Sequence, residues 1–183
     1  MIDVRLIGAN PGLALFAEAD DDLPIAYASA WRVDWSIFGA GNVLITWIGG
    51  VTRAVSENPE LARWLAKDFN RFFPEVSGLP WPEPEIVPAP VAFECDLGSG
   101  AHIEAEGVTV DMQEPMTTRF VNVDSFPLGD ESIGLSTLIT MCRLGSIEVE
   151  GVALPGSPKV ERDPIDSSSF LANAEVWYTR DSE

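Results

Sequence analysis

The clearest pattern along the chain is a strand-like alternation between Ile25 and Phe38. Successive side chains of a strand point to opposite faces of a sheet, so residues two apart share a face. One face of this segment carries the large side chains Tyr27, Trp31, Val33, Trp35 and Ile37, and the other carries Ala26, Ala28, Ala30, Arg32, Asp34 and Ser36. Trp47, in the next apolar segment, adds a further indole. We therefore expect a sheet with one strongly aromatic surface.

Alternation of the same kind predicts strands along most of the chain. The predicted strands are 4–7, 13–19, 25–38, 43–55, 91–96, 102–112, 119–125, 134–142, 146–150 and 169–179. Turn-forming Gly, Pro, Asn and Asp residues lie between them, and a regular strand–helix alternation is lacking, which favours an antiparallel sandwich or barrel. Within 102–112 the apolar residues change from odd-numbered to even-numbered positions at Gly107. This change of strand face predicts a β-bulge or a sharp bend.

The segment 59–73 has the pattern of an amphipathic helix. Asn58 is suited to cap it, Pro59 suits the first helical position, and Pro74 ends it. Its apolar face carries Leu61, Leu65, Phe69 and Phe72, with Trp64 beside them, and the opposite face carries Arg63, Lys67 and Arg71. We expect this helix to pack on a face of the sheet or across an end of a barrel.

Six prolines follow within 74–90. Proline fixes φ and cannot donate to a strand ladder, so this segment is predicted to be an extended strap at the surface. Trp81, Ile86 and Val87 favour burial, so we interpret the strap as holding the helix against the sheet rather than linking two domains. The prediction is one domain over 1–183. It is mainly β, an antiparallel β-barrel of lipocalin-like type or a similar closed or curved sheet, with about eight to ten strands.

Composition narrows the classes of partner. Acidic residues outnumber basic ones 29 to 11, giving a formal net charge of −18. A negative field of this size repels phosphate backbones and anionic lipids, so we expect no nucleic-acid and no membrane partner. The first residues lack the pattern of a secretory signal, and no apolar stretch is long enough for a transmembrane helix, so we expect a cytoplasmic protein. Cys95 and Cys142 are expected as buried free thiols, with a disulfide as the alternative.

The chain lacks the common sequence motifs of metal, nucleotide and nucleophile chemistry. It has one histidine, His102, and two cysteines far apart in sequence, so we expect no metal and no cofactor. Carboxylates remain as candidates for chemistry. Asp34 is two residues from Arg32, which predicts a surface ion pair; in a barrel lumen the same carboxyl would have a raised pKa and act as an acid or base.

Three functions are compatible with these residues and with the absence of the common motifs. The first is a small-molecule-binding β-barrel for an apolar or polyketide-like compound, extending to a cofactor-free cyclase or isomerase of natural-product biosynthesis. In it, Trp31, Trp35 and Trp47 line the pocket, and Asp34 and Tyr27 supply the catalytic polar groups.

The second function is a non-catalytic interaction domain. Here Arg63, Lys67 and Arg71 dock an acidic partner such as a carrier protein, or the domain forms a homodimer. The third is a carboxylate-dependent hydrolase, which requires two acids about 5–10 Å apart in a cleft.

Overall fold

The computed structural model describes residues 2–179 and shows a mainly β protein with one helical segment. Twelve strands form one curved sheet, and two short strands pair separately. The strands are β1 (Ile2–Ala9), β2 (Gly12–Leu15), β3 (Ala26–Ser36), β4 (Gly41–Ile48), β5 (Val51–Ser56), β6 (Glu85–Pro88), β7 (Ala92–Asp96), β8 (Gly100–Ala105), β9 (Val108–Leu128), β10 (Glu131–Val149), β11 (Val152–Ala153), β12 (Val160–Arg162), β13 (Ile165–Ser167) and β14 (Ser169–Thr179).

The main sheet has the strand order β6-β5-β4-β3-β1-β14-β10-β9-β8-β7. In addition, β11 pairs with β10, and β2 bridges β14 and β3. The neighbours pair antiparallel except β5 and β6, which run parallel. The sheet is therefore mixed rather than purely antiparallel, because the chain crosses over from β5 to β6 through the helical segment.

The helical segment begins where the sequence predicts it. The Asn58 side chain accepts a hydrogen bond from the Leu61 amide at 3.2 Å, and Pro59 opens the helix. Only α1 (Pro59–Trp64) is α-helical; the chain continues as a π-helical turn, Leu65–Phe69, and a 3₁₀ turn, Asn70–Phe72. The predicted helix is thus confirmed, with two changes of winding within it. None of the helices in the described part of the chain combines the length and apolar character needed to cross a bilayer.

The two faces of β3 pack into different cores, as its alternation predicts. Its alanine face enters the strand core, which contains no residue of the helical segment and includes Leu13, Ala28, Leu44, Ile103, Val110, Cys142, Ile147 and Leu171. On its aromatic face, Trp31 and Val33 enter the helix core, which includes Leu6, Trp31, Val33, Ile45, Leu61, Leu65, Phe69, Leu128, Ile133 and Val176. Tyr27, on the same face, packs in a smaller cluster with Ala14, Phe16, Trp47 and Val76. The aromatic side of the sheet is therefore the side that the helical segment covers.

The long hairpin of β9 and β10 passes from one core to the other. Val110 of β9 is buried in the strand core, whereas Leu128 at the end of the same strand is buried in the helix core. The register of the pair shifts between Met141 and Cys142, near Glu114 with its positive φ of 56°. A bulge of this kind bends a strand and increases its twist, which lets one hairpin serve two cores.

The two ends of the sheet lie close together. β6 and β7 are its terminal strands, yet only residues 89–91 separate them in sequence. The Asn42 side-chain amide of β4 donates to the Val91 carbonyl at 3.1 Å, which ties this link to the opposite part of the sheet. The sheet must therefore curl strongly around the strand core.

Several predicted strand boundaries differ from those in the structure, either because a turn interrupts a predicted strand or because a strand continues beyond its predicted end. The predicted strand 43–55 divides at Gly49 and Gly50, whose φ values of 60° and 79° suit a tight hairpin turn. Gly107 is also part of a tight turn, between β8 and β9, rather than a bulge within one strand. Cys95 and Cys142 are free thiols, as the first of the two alternatives predicts, but only Cys142 is buried; Cys95 is half-buried.

Candidate functional site

A cavity of about 300 Å³ lies between the end of the helical segment and the sheet. We call it the apolar cavity, since hydrocarbon side chains form most of its wall. Its lining residues are Asn10, Trp31, Phe69, Phe73, Pro74, Glu75, Val121, Phe126, Ile133, Leu135, Thr137, Ile139, Phe170, Ala172, Ala174 and Val176. The alternation of β10 and β14 explains this wall, because residues 133, 135, 137 and 139, and residues 170, 172, 174 and 176, each share one strand face.

Glu75 supplies a carboxyl group to this apolar wall. It follows Pro74 directly after the helical segment, and its Oε2 is closed off from solvent without a hydrogen-bond partner among the described residues. Burial raises the pKa of the Glu75 carboxyl above its ordinary value, and the negative charge of Asp166 raises it further. The position therefore favours the protonated acid, which is the form that desolvation penalises least.

Thr137 of β10 supplies a second polar atom. Its side chain is 7% exposed and lines the apolar cavity, and its Oγ1 has no hydrogen-bond partner within the described chain. A buried polar group without a partner costs about 1–3 kcal/mol, so two such groups on one cavity wall are unusual in a protein interior. Both atoms are therefore available to hydrogen-bond with polar groups of a bound molecule.

A buried hydrogen-bond network fixes the wall next to the cavity. Trp31 Nε1 donates to Asn70 Oδ1 at 3.0 Å, and Asn70 Nδ2 donates to the Tyr27 hydroxyl at 3.3 Å. On the same strand, the Ser29 hydroxyl accepts from Asn10 Nδ2 at 2.9 Å. Buried hydrogen bonds therefore hold two residues of the cavity wall, Trp31 and Asn10, in place.

Tyr27 remains a neutral hydroxyl within this network. Burial raises its pKa far above the usual range, and the nearby charge of Glu75 acts in the same direction. A phenol in this state donates and accepts hydrogen bonds but does not act as a base near neutral pH. In this structure its hydroxyl accepts from Asn70 Nδ2 and so helps to fix the Asn70 side chain.

A second cavity, of about 230 Å³, adjoins the first; we call it the polar cavity. The two share Glu75, Ile139 and Phe170 as wall residues. The remaining lining of the polar cavity is Phe16, Met141, Lys159, Glu161, Asp166, Ser167 and Ser168. Glu75 therefore lies where the apolar cavity meets a cavity that has charged side chains in its wall.

The structure separates the aromatic residues that the sequence groups together. Trp31 lines the apolar cavity, and Tyr27 lies behind that wall. Trp47 pairs with Tyr27 across β3 and β4, and its Nε1 donates to the Pro80 carbonyl at 2.8 Å. Trp35 is 47% exposed on the sheet surface, and the Asp34 carboxylate lies 4.0 Å from the Arg32 guanidinium with 64% of its side chain exposed. Asp34, Trp35 and Trp47 are thus away from this cavity, and the roles predicted for all five residues stay predictions.

The three basic residues of the helical segment have different surroundings. Arg63 is exposed, the Lys67 ammonium lies 3.0 Å from Glu83, and the Arg71 guanidinium lies 4.4 Å from the centre of the Phe72 ring. Binding of an acidic partner there stays a prediction.

The single histidine lies elsewhere, exposed on β8 between β7 and β9. His102 contacts Asp111 at 2.7 Å and Glu104 at 3.1 Å. Its pKa is raised, first by the hydrogen bond to Asp111. Within residues 2–179, no group of three or more His, Cys, Asp or Glu side chains is arranged to hold a metal ion.

Sequence analysis missed Glu75 and Thr137. A single glutamate in a proline-rich strap has no local signal of burial, because its surroundings come from strands far away in sequence. Thr137 had a signal, since it is the one polar position on the strand face that carries Ile133, Leu135 and Ile139. A hydroxyl in the middle of an apolar strand face would have marked this position.

Comparison with protein-family models, curated proteins and solved structures finds no match to this chain. Its function is therefore argued from the geometry of the two cavities and their residues.

Proposed function

We propose that this chain binds an apolar small molecule in the apolar cavity, with Glu75 as its polar anchor. The observation that carries the proposal is an apolar cavity whose wall contains two buried polar atoms without partners, Glu75 Oε2 and Thr137 Oγ1. Ligand pockets have this composition, in which a few polar groups on an apolar wall fix the orientation of the bound molecule.

The size and rigidity of the cavity support the same proposal. A volume of about 300 Å³ is at the small end of ligand pockets, which span about 300–1,000 Å³. The network of Trp31, Asn70 and Tyr27 holds one wall in place before any ligand arrives. A wall that is already ordered lowers the entropic cost of binding.

We further propose that the reaction, if the bound molecule reacts, is a cofactor-free isomerisation or cyclisation. Such a reaction moves a proton from one atom of the substrate to another and needs no co-reactant. Glu75, with its raised pKa, is suited to give a proton to the substrate and take one back. The curved sheet is proposed to act as a barrel-like shell that keeps this part of the molecule rigid.

A dye-binding experiment tests the binding proposal. N-phenyl-1-naphthylamine is neutral and fluoresces in apolar surroundings, so the negative charge of the protein does not repel it. Ala174→Leu places extra volume on the cavity wall, and Ala92→Leu makes the same change at an exposed strand position of β7. We expect the unchanged protein and the Ala92→Leu variant to bind the dye, and Ala174→Leu to bind at least about tenfold more weakly.

Circular dichroism and thermal unfolding establish that both variants are folded. Failure of the unchanged protein to bind the dye, or equal binding by a folded Ala174→Leu variant, overturns the proposal.

A further inference from the structure

The two adjoining cavities indicate which class of molecule is bound. This inference rests on the proposed function, because it concerns the ligand of the same apolar cavity. We propose that the ligand is an amphiphilic primary amine: its hydrocarbon body occupies the apolar cavity, and its ammonium group lies beside Glu75 and faces the polar cavity.

The arrangement of the cavities supports an amphiphile. Glu75, Ile139 and Phe170 belong to both walls, so the two spaces meet at these residues. On one side the wall is hydrocarbon, and on the other it includes Lys159, Glu161 and Asp166. A molecule with an apolar body and a polar head would match this change of surroundings at the level of Glu75.

The hydrogen-bonding capacity at the junction favours a donor-rich head. Burial favours the protonated acid in the empty cavity, whereas a cation bound beside Glu75 favours its carboxylate, because an opposite charge stabilises the ionised form. A carboxylate only accepts hydrogen bonds, and the Thr137 hydroxyl also accepts. Both oxygens, Glu75 Oε2 and Thr137 Oγ1, lack partners within the described residues. An ammonium group has three donors and no acceptor, so it matches an oxygen that only accepts, as Glu75 Oε2 does when ionised, whereas a carboxylate head would add acceptors and no donor.

Charge favours the same choice. The polar cavity has two carboxylates in its wall besides Glu75, and one ammonium group, Lys159. That ammonium already donates to the Asp21 carbonyl and lies 4.6 Å from the centre of the Phe16 ring. Asp166 has Arg119 at 3.4 Å, but Glu75 has no cation within ion-pair distance in the part of the chain that is described. On a protein of formal net charge −18, a cation is the head group that the field attracts.

The position of the head limits the cost of burying a charge. A fully buried ion pair loses about as much hydration energy as it gains in attraction. Here the head would face a polar cavity, so an ammonium group keeps part of its hydration while it binds Glu75.

Three octyl compounds with one hydrocarbon chain and different heads test this inference. Octylamine, octan-1-ol and octanoate are compared at pH 7.5 by displacement of N-phenyl-1-naphthylamine and by calorimetry. We expect octylamine to bind about tenfold or more tightly than octan-1-ol, because a charge-assisted hydrogen bond is stronger than a neutral one, and octanoate to bind most weakly.

Two matched variants test whether the tighter binding of octylamine depends on the Glu75 carboxyl group. Glu75→Gln should reduce the advantage of octylamine over octan-1-ol to less than about threefold, since it removes the charge and keeps the shape. Glu85→Gln makes the same change at an exposed position of β6 and should keep the advantage.

The outcomes separate the two proposals. If neither the dye nor any octyl compound binds, the proposed function itself is wrong. If the dye binds but octylamine has no advantage over octan-1-ol, or keeps it in Glu75→Gln, binding of an apolar molecule stands and the amine inference is overturned.

Discussion

Trp31 Nε1 donates a 3.0 Å hydrogen bond to Asn70 Oδ1, and this bond joins the aromatic face of β3 to the last turn of the helical segment. Both residues are fully buried, Trp31 at 1% and Asn70 at 0% exposure. The indole ring also packs edge-on against Phe69, with 5.7 Å between ring centres. One side chain thus links the sheet, the helical segment and the cavity wall.

Replacing Trp31 with phenylalanine should destabilise the protein by about 2–4 kcal/mol, because it leaves the Asn70 oxygen without a donor and removes packed volume. Trp35→Phe is the matched control, since Trp35 is 47% exposed, and its effect should stay within about 0.5 kcal/mol. Urea denaturation measures both. Equal effects of the two substitutions would show that the buried bond contributes little.

Glu75 should make the free energy of unfolding depend on pH, and the substitution Glu75→Gln should remove this dependence. Burial, with a contribution from Asp166, raises its pKa in the folded state, so the folded protein holds this proton more tightly than the unfolded chain. The unfolding free energy of the unchanged protein should therefore fall as the pH rises from about 4.3, the ordinary glutamate value, through the raised pKa.

Urea denaturation at pH 4 and pH 8 measures this effect. We compare the unfolding free energy of each variant with that of the unchanged protein at the same pH. The difference should favour Glu75→Gln more at pH 8 than at pH 4, whereas for Glu85→Gln it should be the same at both pH values. A pH-independent offset for Glu75→Gln would contradict the assignment.

His102 should titrate above its ordinary pKa of 6.5. The hydrogen bond to Asp111 is the main cause, and Glu104 adds to it, because both carboxylates favour the imidazolium form. His102 is the single histidine of the sequence, so one ring resonance in the NMR spectrum reports its titration without assignment.

Asp111→Asn should lower the His102 pKa more than Glu104→Gln does. Since the folded-state pKa is the raised one, the stabilisation from this contact is fully present below pH 6.5 and is lost as the pH rises through the folded pKa. An unchanged titration in Asp111→Asn would refute the contact.

Asn58 should be important for the start of the helical segment. Its Oδ1 accepts from the Leu61 amide, and its Nδ2 donates to the Phe38 and Ala40 carbonyls at 2.9 and 3.2 Å. Asn58→Ala loses the cap and both donor bonds, and it should cost about 1–3 kcal/mol.

Asn58→Asp keeps the cap and loses only the donor bonds, so its loss of stability should be smaller. Chemical denaturation ranks the two variants, and equal losses would show that the cap itself contributes nothing.

The sequence alone predicted the β class, the strand at Ser169–Thr179 and the start of the helix, because these depend on local periodicity and on capping residues. It also divided β3 correctly into an alanine face and an aromatic face. It did not reveal which face the helical segment covers, since alternation separates two faces without saying what packs on each. β3 is buried on both faces over most of its length.

The candidate site was less predictable than the fold. The sequence predicts Trp31 for a pocket, and Trp31 lines the apolar cavity, but the wall as a whole comes from six separate segments of the chain. The surroundings of Glu75 arise from Asp166 and from strands more than forty residues away in sequence. No local pattern in a proline-rich strap encodes such an arrangement.

The short link between the two terminal strands has a consequence for association between molecules. Terminal strands ordinarily present unpaired amide and carbonyl groups that recruit strands of other chains. Here β6 ends at Pro88, Pro90 lies in the link that follows, and β7 begins two residues later, so two residues without amide hydrogens lie where the terminal strands are joined. A strand of another chain that added at this link would find few amide donors there.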